Sequence, residues 1–230
     1  MEKKGILNGN HLKLIAAFTM LLDHMGILLF PGVQLFRILG RLAYPIFAFM
    51  IAEGCRYTRH KLRYFLMVFG LGVGCQLVYY FASGDTYLNI LLTFSCSILL
   101  IYALQEAHRA ENWKQQFWRS VLFATGVFLA LVIDRYLSID YGFWGIMIPV
   151  LVAFAQGKGK TGSKLPVLMM LVGLLLLGAD LGGIQHYALL AIPLLLLYNG
   201  QRGKANMKCF FYVFYPVHLA VLQGIAWLVR

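Results

Sequence analysis

Two histidines lie deep inside apolar stretches of this sequence. His24, with Asp23 before it, stands twelve residues after Leu12 in the first apolar run. That is about 18 Å along a helix, near the middle of a hydrocarbon layer about 30 Å thick. His218 ends the stretch Phe211-Tyr212-Val213-Phe214-Tyr215-Pro216-Val217-His218, about 15 Å into the last run. In the second run Arg37, Arg41 and Tyr44 fall at i, i+4 and i+7, on one helix face. Imidazole takes and returns protons near neutral pH, and guanidinium stabilises developing negative charge. A charged group at mid-bilayer costs at least about 2.5–3.5 kcal/mol, which makes each of these a functional candidate.

Plainer readings stand beside the chemical ones. Asp23 and His24 can simply fix helix contacts, Arg37 can snorkel to the interface, and His218 can be a packed, hydrogen-bonded histidine. Successive helix residues point about 100° apart, so Asp23 is not the acid that orients His24; any such carboxylate comes from another helix. His24 and Arg41 both fall about 9 Å below the outer end of their runs, and an antiparallel hairpin would let them meet. Pro45 removes the hydrogen bond to the Arg41 carbonyl and predicts a kink there. Glu53, three residues before Arg56, reads as a surface or interfacial ion pair. Asn89 and Thr93 are spaced i, i+4, and Asp134, Arg135, Asp140 and Tyr141 cluster further on. Interhelical hydrogen bonds and interfacial anchoring explain them as well as substrate contact does. Gly70, Gly72 and Gly74 read as close helix packing, and Gly157–Gly162 lacks P-loop spacing.

The elements that must hold these residues follow from composition. Of 230 residues, 60% are hydrophobic and 13% charged, against about 45–50% and about 25% in a soluble domain. Nine runs suit spanning helices: Leu12–Phe30, Leu35–Gly54, Tyr64–Ala82, Tyr87–Glu106, Phe117–Asp134, Tyr141–Ala155, Leu165–Asp180, Gln185–Tyr198 and Lys208–Leu228. The sixth and eighth are short and contain Pro149 and Pro193, so tilted or broken helices are expected. The expected fold is an all-α polytopic membrane bundle of about nine transmembrane helices, a single transmembrane domain over residues 1–230.

The net charge of +11 is not a nucleic-acid signature, because the basic residues sit in short clusters between runs. With a cytoplasmic N-terminus, 16 of 20 Lys and Arg residues fall on the inner side, leaving Arg37, Arg41, Arg135 and Arg230 outside. Nine crossings place the C-terminus outside, in a bacterial-type cell membrane. Cys55, Cys75, Cys96 and Cys209 form no CxxC pair and read as reduced, packed residues with no metal.

Several stretches resemble the TraX family: Leu12-Lys13-Leu14-Ile15-Ala16 with Leu21 to Gly26, Arg37 to Phe49 with Glu53-Gly54, Leu88 to Thr93, and Phe214 to Leu219. The resemblance covers most of the chain in order, and the first two runs are its specific part. TraX proteins are associated with N-acetylation of the amino terminus of conjugative pilin. The resemblance therefore implies an acetyltransferase, with acetyl-CoA as donor and a protein amino terminus as one acceptor. His24, the Arg41–Phe47 stretch and Tyr215 to His218 also look similar to elements of acyltransferase-three type membrane enzymes, whose partner domains are absent.

What the likeness implies for the residues is an acetyl transfer across the bilayer. Arg56, Arg59, Lys61 and Arg63 would hold the phosphates of coenzyme A, although positive-inside bias alone predicts that basic loop. His24 would be the general base, Arg41 an oxyanion or donor ligand, and His218 a relay or an orienter, with Asp23 close by. Arg37, Tyr44, Asn89, Thr93, Asp134 and Tyr215 are the candidates for acceptor contact, the acceptor being a protein, glycan or lipid. Direct transfer and an acetyl-histidine intermediate are both open. Two other classes compete: a proton-coupled transporter, and a non-catalytic membrane assembly factor.

Overall fold

The protein is described by a computed structural model covering residues 5–84, 86–158 and 164–229. Lys3, Lys4, Lys160, Arg230 and most of the 157–162 glycine–lysine run lie outside the described residues. Among the described residues, ten α-helices and one 3-10 helix follow one another without a strand. They are α1 (Gly9–Leu28), α2 (Gln34–Gly40), α3 (Ala43–Tyr57), α4 (Lys61–Ser83), α5 (Ile90–His108), α6 (Trp113–Tyr136), α7 (Gly142–Lys158), α8 (Leu165–Leu181), the 3-10 helix Gly183–Leu190, α9 (Ala191–Leu196) and α10 (Lys208–Val229).

All nine apolar runs are helical. Six segments are long and apolar enough to cross a membrane: α1, α2 with α3, α4, α5, α6 and α10. Three shorter ones accompany them, at α7, α8 and the 3-10 helix with α9. Large apolar side chains face outward along these helices, among them Trp118 at 69% and Phe128 at 63% exposure on α6. A water-soluble protein could not display such surface without aggregating; a bilayer solvates it. The protein is a polytopic helical membrane bundle.

The chain forms two compact units, Met1–Met50 with Leu174–Arg230, and Ile51–Gly173. In the first, α1 packs on α2 and α10, and the 3-10 helix packs on α2. Asn8 caps α1, its side chain accepting from the backbone of Asn10 and His11 at 3.0 Å each. The strand-like pairing of Leu7 with residues 197–199, and the 2.8 Å bond from Asn10 Nδ2 to the Ala205 carbonyl, tie the start of α1 to the segment before α10. The two helices thus begin at one end.

The second run is interrupted where Pro45 predicts. α2 stops at Gly40, the Arg41 amide bonds the carbonyls of Arg37 and Ile38, and α3 restarts at Ala43. Pro45 then sits in the first turn of α3, where a missing N–H costs nothing. α1 and α2 approach closely at Gly40, where any Cβ would collide with the Asp23 side chain. Gly40→Ala is expected to destabilise the detergent-solubilised protein by about 1–3 kcal/mol. Thermal unfolding measures this; an unchanged curve would mean that Asp23 moves aside freely.

In the second unit α5 is the hub, packed against α4, α6 and α7. Gly72 of α4 faces Leu91 and Leu92 closely, as the packing reading expects, but Gly70 and Gly74 meet nothing within 4 Å. Pro149 lies inside α7 without breaking it. Pro193 instead falls just beyond the change from 3-10 to α winding.

Candidate functional site

The first unit gathers two histidines, two arginines, one aspartate and one glutamine. α1 supplies Asp23 and His24, α2 and the turn after it supply Arg37 and Arg41, the 3-10 helix supplies Gln185, and α10 supplies His218.

The two rings touch. His218 Nε2 lies 3.2 Å from His24 Nδ1, with ring centroids 5.0 Å apart and planes at 65°. Each ring also reaches back one helical turn, His24 Nδ1 to the Met20 carbonyl at 2.9 Å and His218 Nδ1 to the Phe214 carbonyl at 2.8 Å. A carbonyl only accepts, so both Nδ1 atoms carry hydrogen. His24 Nδ1–H is then shared between the Met20 carbonyl and His218 Nε2. Its own Nε2 keeps a bare lone pair, with no partner among the described residues. His218 is buried at 5% exposure, with the Phe214 ring stacked on it at 4.9 Å and Tyr215 at 5.9 Å. His24 is only partly buried. In this arrangement His24 Nε2 is the ring nitrogen left to accept a proton, while His218 Nε2 accepts from His24 Nδ1, a position often filled by a carboxylate. Pro216 leaves the Tyr212 carbonyl without its helical donor; the His218 ring bonds the Phe214 carbonyl, one turn back.

Asp23 faces the arginines. Arg37 Nη1 meets Asp23 Oδ1 at 2.9 Å, and Arg41 Nη2 meets Oδ2 at 2.5 Å. Arg41 Nη1 donates to Gln185 Oε1 at 3.0 Å and its Nε to the Arg37 carbonyl at 3.3 Å. The α1–α2 hairpin thus brings Arg41 to the residue before His24. Tyr44, past the break, is buried at 2% exposure. Gln185 was not a candidate from sequence: its only cue is a single amide at the start of an apolar run.

The remaining candidates belong to the second unit. Asn89 caps α5 and ties it to α4, its Nδ2 donating to the Gly72 carbonyl at 2.9 Å and to Gln76 Oε1 at 3.0 Å. Thr93 Oγ1 donates to the Asp140 carbonyl at 3.1 Å. Leu88 locks the α4–α5 loop to the α6–α7 loop through backbone bonds with Ser138 and Asp140; there Asp134 faces Gly142 and Tyr141 takes a left-handed φ of 62°. Helix and loop fixation accounts for Asn89 and Thr93 without a ligand. Glu53 is buried, and it accepts from Gln156 Nε2 at 2.7 Å; the expected surface pair with Arg56 gives way to a buried amide. Arg56 lies over the Tyr57 ring at 5.4 Å. Lys61 Nζ binds Glu106 at 3.0 Å and lies over Tyr102. Arg59 and Arg63 are exposed, and a shallow depression is lined by His60, Lys61, Leu62 and Arg63.

Fold and cluster together define a multi-pass helical membrane protein with a histidine pair and a two-arginine carboxylate cluster set among its helices. The chain belongs to the TraX protein family, whose family model matches residues 8–226. It is similar to a probable fimbrial assembly protein, FimC of serogroup H1, from Dichelobacter nodosus, at 27% identity over 92% of each chain. It is also similar to an uncharacterized protein of Rickettsia prowazekii (strain Madrid E), at 29% identity over 67% of this chain and 58% of the relative. No solved structure matches.

Proposed function

We propose that the protein is a membrane-embedded acetyltransferase of a bacterial-type cell membrane, its N-terminus cytoplasmic and its C-terminus outside. It would move an acetyl group from cytosolic acetyl-CoA to an amine or hydroxyl at the outer side. The acceptor would be a protein amino terminus such as that of a pilin subunit, or a glycan or lipid group. The observation that carries this reading is the bare Nε2 of His24, backed by a buried histidine that holds it in that state.

His24 Nε2 takes the proton from the acceptor nitrogen or oxygen as that atom attacks the acetyl carbonyl carbon. A bond forms from the acceptor to carbon, the carbon–sulfur bond breaks, and the proton leaves on the thiol. As His24 gains its second proton, Nδ1–H strengthens its bond to His218 Nε2, which spreads the charge. Arg41, held by Asp23 and Gln185, is a fixed cation suited to the oxyanion of that step. Membership of the TraX family and likeness to a fimbrial assembly protein support a substrate in a surface fibre. The relative's name also favours a second reading, a non-catalytic assembly factor that binds such subunits.

Acetyl-CoA separates the two readings. The exposed Arg59 and Arg63 suit its phosphates better than Arg56 and Lys61, whose side chains are engaged. Calorimetric titration of the purified protein should give saturable acetyl-CoA binding, weakened about tenfold or more in Arg59→Ala/Arg63→Ala. His24→Asn should bind as wild type. Absence of binding by folded wild type, with acceptors present, would leave the assembly reading.

A further inference from the structure

Asp23 divides its two carboxylate oxygens between two guanidiniums, one oxygen to each, so neither arginine holds it alone. The two arginines differ in what remains to them. Arg41 is 10% exposed and sits among Asp23, Gln185 and the Arg37 carbonyl. Arg37 is 29% exposed and engages Asp23 through Nη1. Its Nε and Nη2 donate to no described residue. They form the edge that grips an oxyanion with two parallel N–H bonds.

Arg37 is also built in rather than trailing toward the interface. Its stem lies along Gly26 of α1, where a Cβ would stand 3.3 Å from Cδ and 3.4 Å from Cγ. Gly26 is itself buried. Held at the stem and at Nη1, the guanidinium is oriented before any ligand arrives, so little ordering entropy opposes binding. A snorkelling arginine would have neither restraint.

We propose that the Nε–Nη2 edge of Arg37 is a receptor for a carboxylate or phosphate, and that the acetyl acceptor carries this group beside its amine or hydroxyl. The second half rests on the acetyl-transfer reading; the existence of the site does not. Asp23, adjacent to His24 in α1, then serves twice, orienting the anion receptor and steadying the Arg41 cation.

The test titrates full-length protein in dodecyl maltoside with dodecyl phosphate, beside dodecyltrimethylammonium. We expect saturable one-to-one binding of the phosphate alone. It should weaken at least about tenfold in Arg37→Gln and in Arg37→Lys. The lysine variant keeps a cation for Asp23 but lacks the fork. Lys114→Gln/Lys204→Gln, at exposed lysines outside both sites, should bind as wild type, whereas Arg59→Gln/Arg63→Gln removes any phosphate held by the coenzyme A loop. Displacement by inorganic phosphate would assign the site to a water-borne oxyanion, and displacement by phosphatidylglycerol alone to a membrane-borne one; both support the receptor. No saturable binding by folded wild type, unchanged binding in both Arg37 variants, or a loss confined to the Arg59/Arg63 variant would overturn it. The readout needs no acetyl-CoA, so its failure and a failure to consume acetyl-CoA are separate results.

Discussion

Replacing His24 by asparagine should leave the protein folded and lower acetyl transfer about 10²–10⁴-fold. Asparagine can place its amide N–H where His24 Nδ1 donates to the Met20 carbonyl, so the local turn keeps its bond. Nothing in asparagine replaces Nε2. His218→Gln should cost far less, because its amide oxygen can accept from His24 Nδ1 as the buried ring nitrogen does. His218→Leu, which cannot accept, should fall between the two and alter the pH profile of the rate. The measurement is thiol release from acetyl-CoA together with mass gain on the acceptor. If His24→Asn transfers at the wild-type rate, the base lies elsewhere and the histidine pair is structural.

Removing the Asp23 carboxylate should be the most destabilising single change in the first unit. Asp23→Asn leaves the Arg37 and Arg41 guanidiniums facing each other with no anion between them, and Arg41 is nearly enclosed. Breaking a buried ion pair from one side costs about 3–5 kcal/mol. The second variant makes the claim specific. Asp23→Asn/Arg37→Gln removes one of the stranded cations and should recover part of the lost melting temperature, a gain that Arg37→Gln alone should not give. Equal melting of both Asp23 variants would show that charge balance is not what Asp23 supplies.

Much of this arrangement was legible in the sequence, because a bilayer is an unforgiving solvent. Apolar runs long enough to cross must be helical, and α1, α4, α5 and α10 begin or end within a few residues of the runs that predict them. The break at Arg41 follows from Pro45. His24 and His218 stood out because polar groups are rare at such depth. Their contact was only one possibility among many, since no local pattern reports that α10 packs on α1. The orientation of Asp23 toward Arg37 and Arg41 depends on Gly40, and a small residue's role as a passage for a neighbour's side chain is invisible until both helices are placed. Gln185 was missed for a different reason. It lies in a 3-10 helix, where three residues make a turn. The buried residues Gln185 and Ala188 therefore lie directly in line; at α-helical spacing they would be offset by about 60°. In the second unit, Asn89 and Thr93 read equally as helix contacts or as substrate contacts, because polar residues near a run's end serve as caps and clasps as readily as ligands.

The same 3-10 winding changes how far a short segment reaches. Eight residues at about 2.0 Å rise and six at about 1.5 Å give about 25 Å, where an unbroken α-helix of that length would give about 21 Å. The seventeen residues of α7, and likewise of α8, also come to about 25 Å. The twenty-four of α6 come to about 36 Å. Its ends are polar, Lys114 to Gln116 and Asp134 with Arg135, so its largely apolar stretch from 117 to 133 also comes to about 25 Å. Where such segments cross, a hydrocarbon layer thinner than the usual thickness of about 30 Å fits them, and the polar ends of α6 reach the headgroups. Hydrophobic mismatch of this kind draws a protein toward thinner membranes, and acyl-chain length becomes a variable to which its stability should respond.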